Sequence, residues 1–291
     1  MTDRIININR RIISAWGLFS VACLLSSFTY AKNPAIIADH TCTDIKKIPS
    51  SYIEKAKKMF KVAYGHTSHG SQIVAGMGAL KKSNPSLYNY GSGSVGKLSF
   101  LDYTPKGDLG NPDRVTWAQR TRELLNASGC DRNVIMWSWC GQVSGASEKN
   151  IQTYLDLMSG LEKEFPKVKF IYMTGHLDGT GKDGNLNRRN EQIREFCNKN
   201  GKILFDFADI ESYDPDGKVN YMELNATDSC NYKENGVTKN WVDEWLKKNP
   251  EYGIALPAGA AHSKPLNGAL KGRAFWWMMT RLAGWDGKPQ K

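Results

Sequence analysis

Past residue 31 the chain has no run approaching about 18 consecutive apolar residues, no cysteine pair at C-x-x-C spacing, no internal repeat and no low-complexity tract. The first absence argues against a membrane-spanning helix there, the second against a zinc knuckle or thioredoxin-like site, and the others against solenoids and disordered linkers. Histidine is scarce, with five in 291 residues, so every one of them counts as evidence. Concentrated positive charge is missing too: Lys57-Lys58, Lys81-Lys82, Arg188-Arg189 and Lys247-Lys248 are dispersed pairs, so the basic surplus reads as a solvated surface and no nucleic-acid partner is expected.

What is present begins with Arg4, Arg10 and Arg11, then an apolar stretch at 12–25, then small and polar residues to Ala31, the order of a signal peptide. The sequence therefore predicts a signal peptide at 1–31, cleaved near Ala31, and a single domain at 32–291 that is secreted or periplasmic, without stable membrane insertion. Arg10-Arg11 lacks the rest of a twin-arginine pattern, and Ser20 stands where a lipobox has Leu, so lipid attachment at Cys23 is not expected. The remaining 260 residues hold 36 basic against 28 acidic side chains, a surplus of eight, and five cysteines, Cys42, Cys130, Cys140, Cys197 and Cys230. An odd number in an oxidising compartment allows at most two disulfides and leaves a free thiol.

Apolar periodicity predicts helices at 51–59, 71–82, 115–126, 151–165, 187–199 and 266–282, and short apolar runs predict strands at 60–64, 133–139, 169–174 and 202–207. Residues 90–110 and 211–257 read as loop-rich. Helices alternating with strands imply βαβ crossovers, hence an α/β fold whose mainly parallel sheet is covered on both faces as a three-layer α/β/α sandwich. Ligands of such sheets bind outside the carboxyl ends of the strands. The loops predicted there are Gly65-His66-Thr67-Ser68-His69-Gly70, Trp139-Cys140-Gly141-Gln142 and Thr174-Gly175-His176-Leu177-Asp178-Gly179, joined by Ala261-His262-Ser263 before the last helix. Four of the five histidines fall in these loops.

With Gly65-His66-Thr67-Ser68 after the first strand and His262 before the last helix, the span from about 60 to 284 resembles the SGNH (GDSL-like) hydrolases, in a divergent branch with Gly-His-x-Ser in place of Gly-Asp-Ser. The resemblance implies a flavodoxin-like sandwich, Ser68 as nucleophile, His262 as general base, and an oxyanion hole from the backbone of Ser68 and Gly110 with the Gln142 side chain. A serine hydroxyl needs such a neighbouring imidazole to take its proton. Two positions depart from the pattern. Gly259 stands where the family has the Asp that orients the histidine, so Asp206, Asp209, Asp178 or a backbone carbonyl is expected to substitute, and Gln142 replaces an Asn.

His66, His69, Trp139, His176 and Asp178 are expected to line the substrate site. The expected activity is an esterase acting on a small-molecule or polysaccharide ester, such as an acyl group on a carbohydrate, with no cofactor. Three other readings are open at this point. His66 and His69, as H-x-x-H with His176, Asp178 or His262, would suit a zinc-dependent hydrolase; a catalytically silent glycan-binding protein would keep the same fold; and Ser68 would be merely a helix N-cap. Asp214-Pro215-Asp216-Gly217 reads as an acidic turn of a kind that can hold calcium but commonly holds no ion.

Overall fold

The structure, a computed structural model, describes residues 34–93 and 95–288. The signal-peptide reading of 1–31, with Arg10-Arg11 and Cys23, lies outside the described residues. In chain order the strands are β1 (Ile36–Ala38), β2 (Lys61–Gly65), β3 (Tyr90–Gly91), β4 (Leu98–Leu101), β5 (Val134–Trp137), β6 (Lys169–Met173), β7 (Ile203–Phe205), β8 (Asn231–Glu234) and β9 (Val237–Asn240). The helices are α1 (Ser50–Met59), α2 (Ser71–Ser83), α3 (Thr116–Asn126), α4 (Glu148–Glu164), α5 (Asn185–Asn200), α6 (Phe207–Glu211), α7 (Trp241–Lys248) and α8 (Pro265–Leu282).

Seven strands form one sheet in the order β1-β7-β6-β5-β2-β4-β3, and every pairing in it is parallel. The α/β fold class is therefore as the alternation implied. Helices α1, α2 and α8 pack together, as do α3, α4 and α5, making the two covering layers. Burial on both faces explains why the central strands carry continuous apolar runs: all four residues of β5 are buried, as are four of five in β2 and β6. The helix ends carry local signals. Ser147 and Asn150 form a reciprocal capping box at the start of α4, and Gly201, at φ +60°, closes α5 in the left-handed region.

The loop-rich stretches contain elements that periodicity missed. Strands β3 and β4 are too short to show a pattern, and β8 and β9 form a separate antiparallel hairpin. All five described cysteines are free.

After β2 the chain runs to one side of the sheet (β4, β3) and then returns to the other (β5, β6, β7), so the β2–β5 boundary is where the winding changes direction. The loops following β2, β5 and β6, three adjacent strands, open on the same edge. Helices α2 and α8 start from that edge. A Cβ on Gly76 would overlap the backbone of Gly268 and Gly272, so only glycine lets these two helices approach so closely. Their contact brings the segment before α2, which carries His69, against the segment before α8, which carries His262.

Candidate active site

His69 lies at the centre of the cluster. Its Nε2 is 3.0 Å from Asp228 Oδ2, and its Nδ1 is 3.1 Å from Cys140 Sγ. The ring stacks on His176 at 3.7 Å between centroids and on His262 at 4.4 Å. Burial disfavours the imidazolium, and the proximity of His176 and His262 adds to this. The Asp228 hydrogen bond opposes both without overcoming them, so the His69 pKa lies below its ordinary value of 6.5. Burial pushes the Asp228 carboxyl up, but the His69 hydrogen bond and the nearby imidazoles outweigh it, and its pKa falls below 3.8. The pair is thus a neutral imidazole against an ionised carboxylate. An ionised carboxylate only accepts hydrogen bonds, so Nε2 carries the proton, and the Nδ1 lone pair faces the thiol.

Five loops meet in this arrangement. The Asp228 N–H donates to the Leu177 carbonyl at 3.1 Å, tying its turn to the His176 loop. Cys230, two residues on, sets its Sγ 3.5 Å from Ser263 Oγ, beside His262. His262 itself has φ +62°, a conformation that is uncommon for a non-glycine residue and often found at functional sites. Beneath them lies a fully buried ion pair, Lys271 with Glu211. Lys271 also donates to Gln72 Oε1, whose Nε2 holds the Ala261 carbonyl at 2.6 Å, while Glu211 Oε1 accepts the Leu177 N–H at 3.3 Å. Burial lowers the Lys271 pKa and the charge of Glu211 opposes that fall. One buried pair therefore anchors both the His176 and His262 loops, and removing either partner would leave an uncompensated charge in the core.

Three of the five described thiols are buried. Burial pushes Cys42 and Cys230 up to about 12, and Cys197 further still, which keeps them protonated and inert. Cys140 is partly exposed and has an imidazole nitrogen on its sulfur.

The residues expected from sequence are distributed as follows. Ser68 does not cap α2; its Oγ contacts Cys140 Sγ at 3.7 Å. No hydrogen bond joins Ser68 to His262 among the described residues, and His262 is exposed on the rim. His66 and His69 diverge: His66 is fully buried, with Nε2 2.7 Å from Asp102 and its ring between Tyr64 and Tyr103. The H-x-x-H pair is therefore not a shared metal site.

Asp206 is occupied by Arg194 and Thr174, and Asp209 by His40, so neither supports His262. Asp178 closes a turn by accepting from Thr180 N and Oγ1. Trp139, expected in a pocket, is 3 % exposed, donates to the Met173 carbonyl at 3.0 Å and packs on Tyr154.

Gln142 uses Oε1 to accept the Cys140 N–H and Nε2 to donate to Asp108, so its amide shapes the Cys140 loop instead of facing an oxyanion. Gly110, at φ +93°, lies against Gln142 Cβ at the back of that loop. His176 does join the cluster: its Nδ1 is bonded to the Leu177 carbonyl, leaving Nε2 buried with no partner among the described residues. The acidic turn at 214–217 is explained by Asp214, which accepts the N–H groups of Asp216 and Gly217 and the Tyr221 hydroxyl.

Asp228 was invisible in the sequence because it sits in an aperiodic loop with no motif. Cys140 carries no signal in the sequence beyond its place among five cysteines and in the second loop. Two cavities, of about 290 and 560 Å³, lie elsewhere: the first by Asp178, Asp206 and Arg194, the second by Trp245, Tyr252 and Arg273. Neither is lined by His69 or Cys140; at the cluster itself Cys140 is partly exposed and His262 exposed. In comparisons with known proteins, no family model and no curated protein matches this chain.

Proposed function

We propose that the protein is an acyl hydrolase that works through a thioester on Cys140, with His69 as the proton acceptor and Asp228 as the group that orients it. The observation carrying this reading is one imidazole held between a thiol at 3.1 Å and a carboxylate at 3.0 Å. This keeps the reaction class implied by the SGNH resemblance and moves the nucleophile from Ser68 to its neighbour.

The chemistry follows from the proton positions. His69 Nδ1 accepts the Cys140 proton as sulfur attacks the acyl carbon, and the tetrahedral intermediate collapses when the imidazolium returns that proton to the leaving oxygen. Water then attacks the thioester with Nδ1 again as base, releasing the acid and restoring the thiol. Asp228 stabilises the transient imidazolium and keeps the ring from turning. The Ser68 hydroxyl, 3.7 Å from the sulfur, is close enough to donate to the developing oxyanion. The proposed substrate is an ester outside the cytoplasm, such as an acyl group on a carbohydrate.

The test is turnover of p-nitrophenyl acetate, with intact-mass analysis for an acetylated enzyme. Cys140→Ala and His69→Ala are expected to lose about 10²–10⁴-fold, and the acetyl group should map to Cys140. If Ser68→Ala abolished turnover while Cys140→Ala retained it, the serine mechanism would stand and the thiol mechanism would not.

A further inference from the structure

The His69 cluster contains more ligating groups than a proton relay uses. Ligand atoms of His69, Asp228 and His262 all lie within 4.8 Å of one another, and the His69–Asp228 contact is already 3.0 Å. Zinc bonds of about 2.0–2.2 Å place tetrahedral ligands roughly 3.4 Å apart. His262 is exposed on a loop, so it is the ligand free to close the difference. His176 adds an independent observation. It is 8 % exposed, its Nδ1 is bonded to a carbonyl, and its bare Nε2 has no partner among the described residues. Its ring stacks on His69 at 3.7 Å, so this unbonded nitrogen lies alongside the cluster.

We infer that His69, Asp228 and His262 bind a divalent transition metal of the zinc type, with His176 flanking them, and that the bound ion switches the thiol relay off. The ligand set mixes imidazoles and one carboxylate, which zinc and cobalt accept and magnesium and calcium do not favour. Coordination of a neutral His69 through Nε2 places the single ring proton on Nδ1. That nitrogen then donates to Cys140 instead of accepting its proton, so the same imidazole cannot serve both states. The binding site stands on its own geometry, and the switching rests on the proposed thiol mechanism.

The full chain would be titrated with zinc and with Co(II), by calorimetry and by the cobalt absorption spectrum, alongside p-nitrophenyl acetate turnover. One ion per chain is expected. His262→Ala and Asp228→Asn should each weaken binding at least tenfold, and Asp178→Asn should leave it unchanged. Zinc should slow ester turnover at least tenfold in the parent chain and much less in His262→Ala, with circular dichroism confirming that each variant is folded. Absence of saturable binding, or binding indifferent to His262→Ala, would overturn the site. Saturating metal that left ester turnover unchanged, or raised it, would overturn the switch. Metal binding in a chain that hydrolyses no ester in either state would leave the metal site standing and remove the hydrolase reading and the switch with it.

Discussion

Two histidine–carboxylate pairs sit along the same edge of the sheet and behave in opposite ways. His69 with Asp228 lies beyond β2, β5 and β6; His40 with Asp209 lies beyond β1 and β7. Burial disfavours the imidazolium in both. At His40 it is outweighed by a 2.6 Å bond to Asp209 and by the charges of Asp39 and Asp206, so that pKa is raised. At His69 two further imidazoles side with burial, and the pKa is lowered. The second difference is what else each ring touches. His69 has a thiol on its other nitrogen, whereas His40 stacks on Tyr213 at 3.7 Å and forms an ion pair. Identical residue pairs thus shift the imidazole pKa in opposite directions, and the neighbours decide which.

The comparison can be broken most severely by mutating the two histidines in parallel. His69→Ala is expected to lower ester turnover by about 10²–10⁴-fold, while His40→Ala should leave kcat/KM within about twofold; equal losses would remove the distinction. The carboxylates come next. Asp228→Asn should reduce kcat by about 10²-fold or more through the wrong tautomer, with Asp209→Asn affecting denaturation midpoints instead.

A third prediction concerns what brings His69 and His262 together. Gly76→Ala must push Gly268 and Gly272 away and should destabilise the chain by about 1–3 kcal/mol, measured by urea unfolding, with activity falling further than stability alone explains.

The smallest effect is the pH dependence at His40. A raised histidine pKa contributes stability that is full below 6.5 and fades as pH rises through the folded value. The depressed Asp209 contributes above 3.8 and fades on acidification. The parent chain should therefore exceed His40→Ala by about 1 kcal/mol or less, because the pair is partly exposed. The largest margin is expected between pH 3.8 and 6.5, and a margin that grew above pH 8 would contradict the sign.

Much of the fold was legible because it is written locally. The buried strands at 133–139 and 169–174 and the helix at 151–165 announce themselves by apolar content and period, and their order alone implies the parallel sheet. The three loops expected at the sheet edge do supply the cluster, through Ser68 and His69, Cys140, and His176, and His262 joins from before α8. What failed was the assignment of partners. Asp206 and Asp209 looked available because they follow β7, yet Arg194 and His40 had already claimed them. Trp139 looked like a pocket residue beside Cys140-Gly141, yet it is buried against Tyr154 with its indole N–H on the Met173 carbonyl.

By itself the sequence determined the α/β alternation, the loops at the sheet edge and the short list of histidines, since each depends on residues within a few positions of one another. Only the tertiary structure decided that His69, and not His262, meets a carboxylate. That choice depends on Asp228 in an aperiodic loop 159 residues away, on glycine contacts between α2 and α8, and on a buried Lys271–Glu211 pair. A hydrogen bond acts over about 3 Å, and no local period records which distant loop will arrive at that distance.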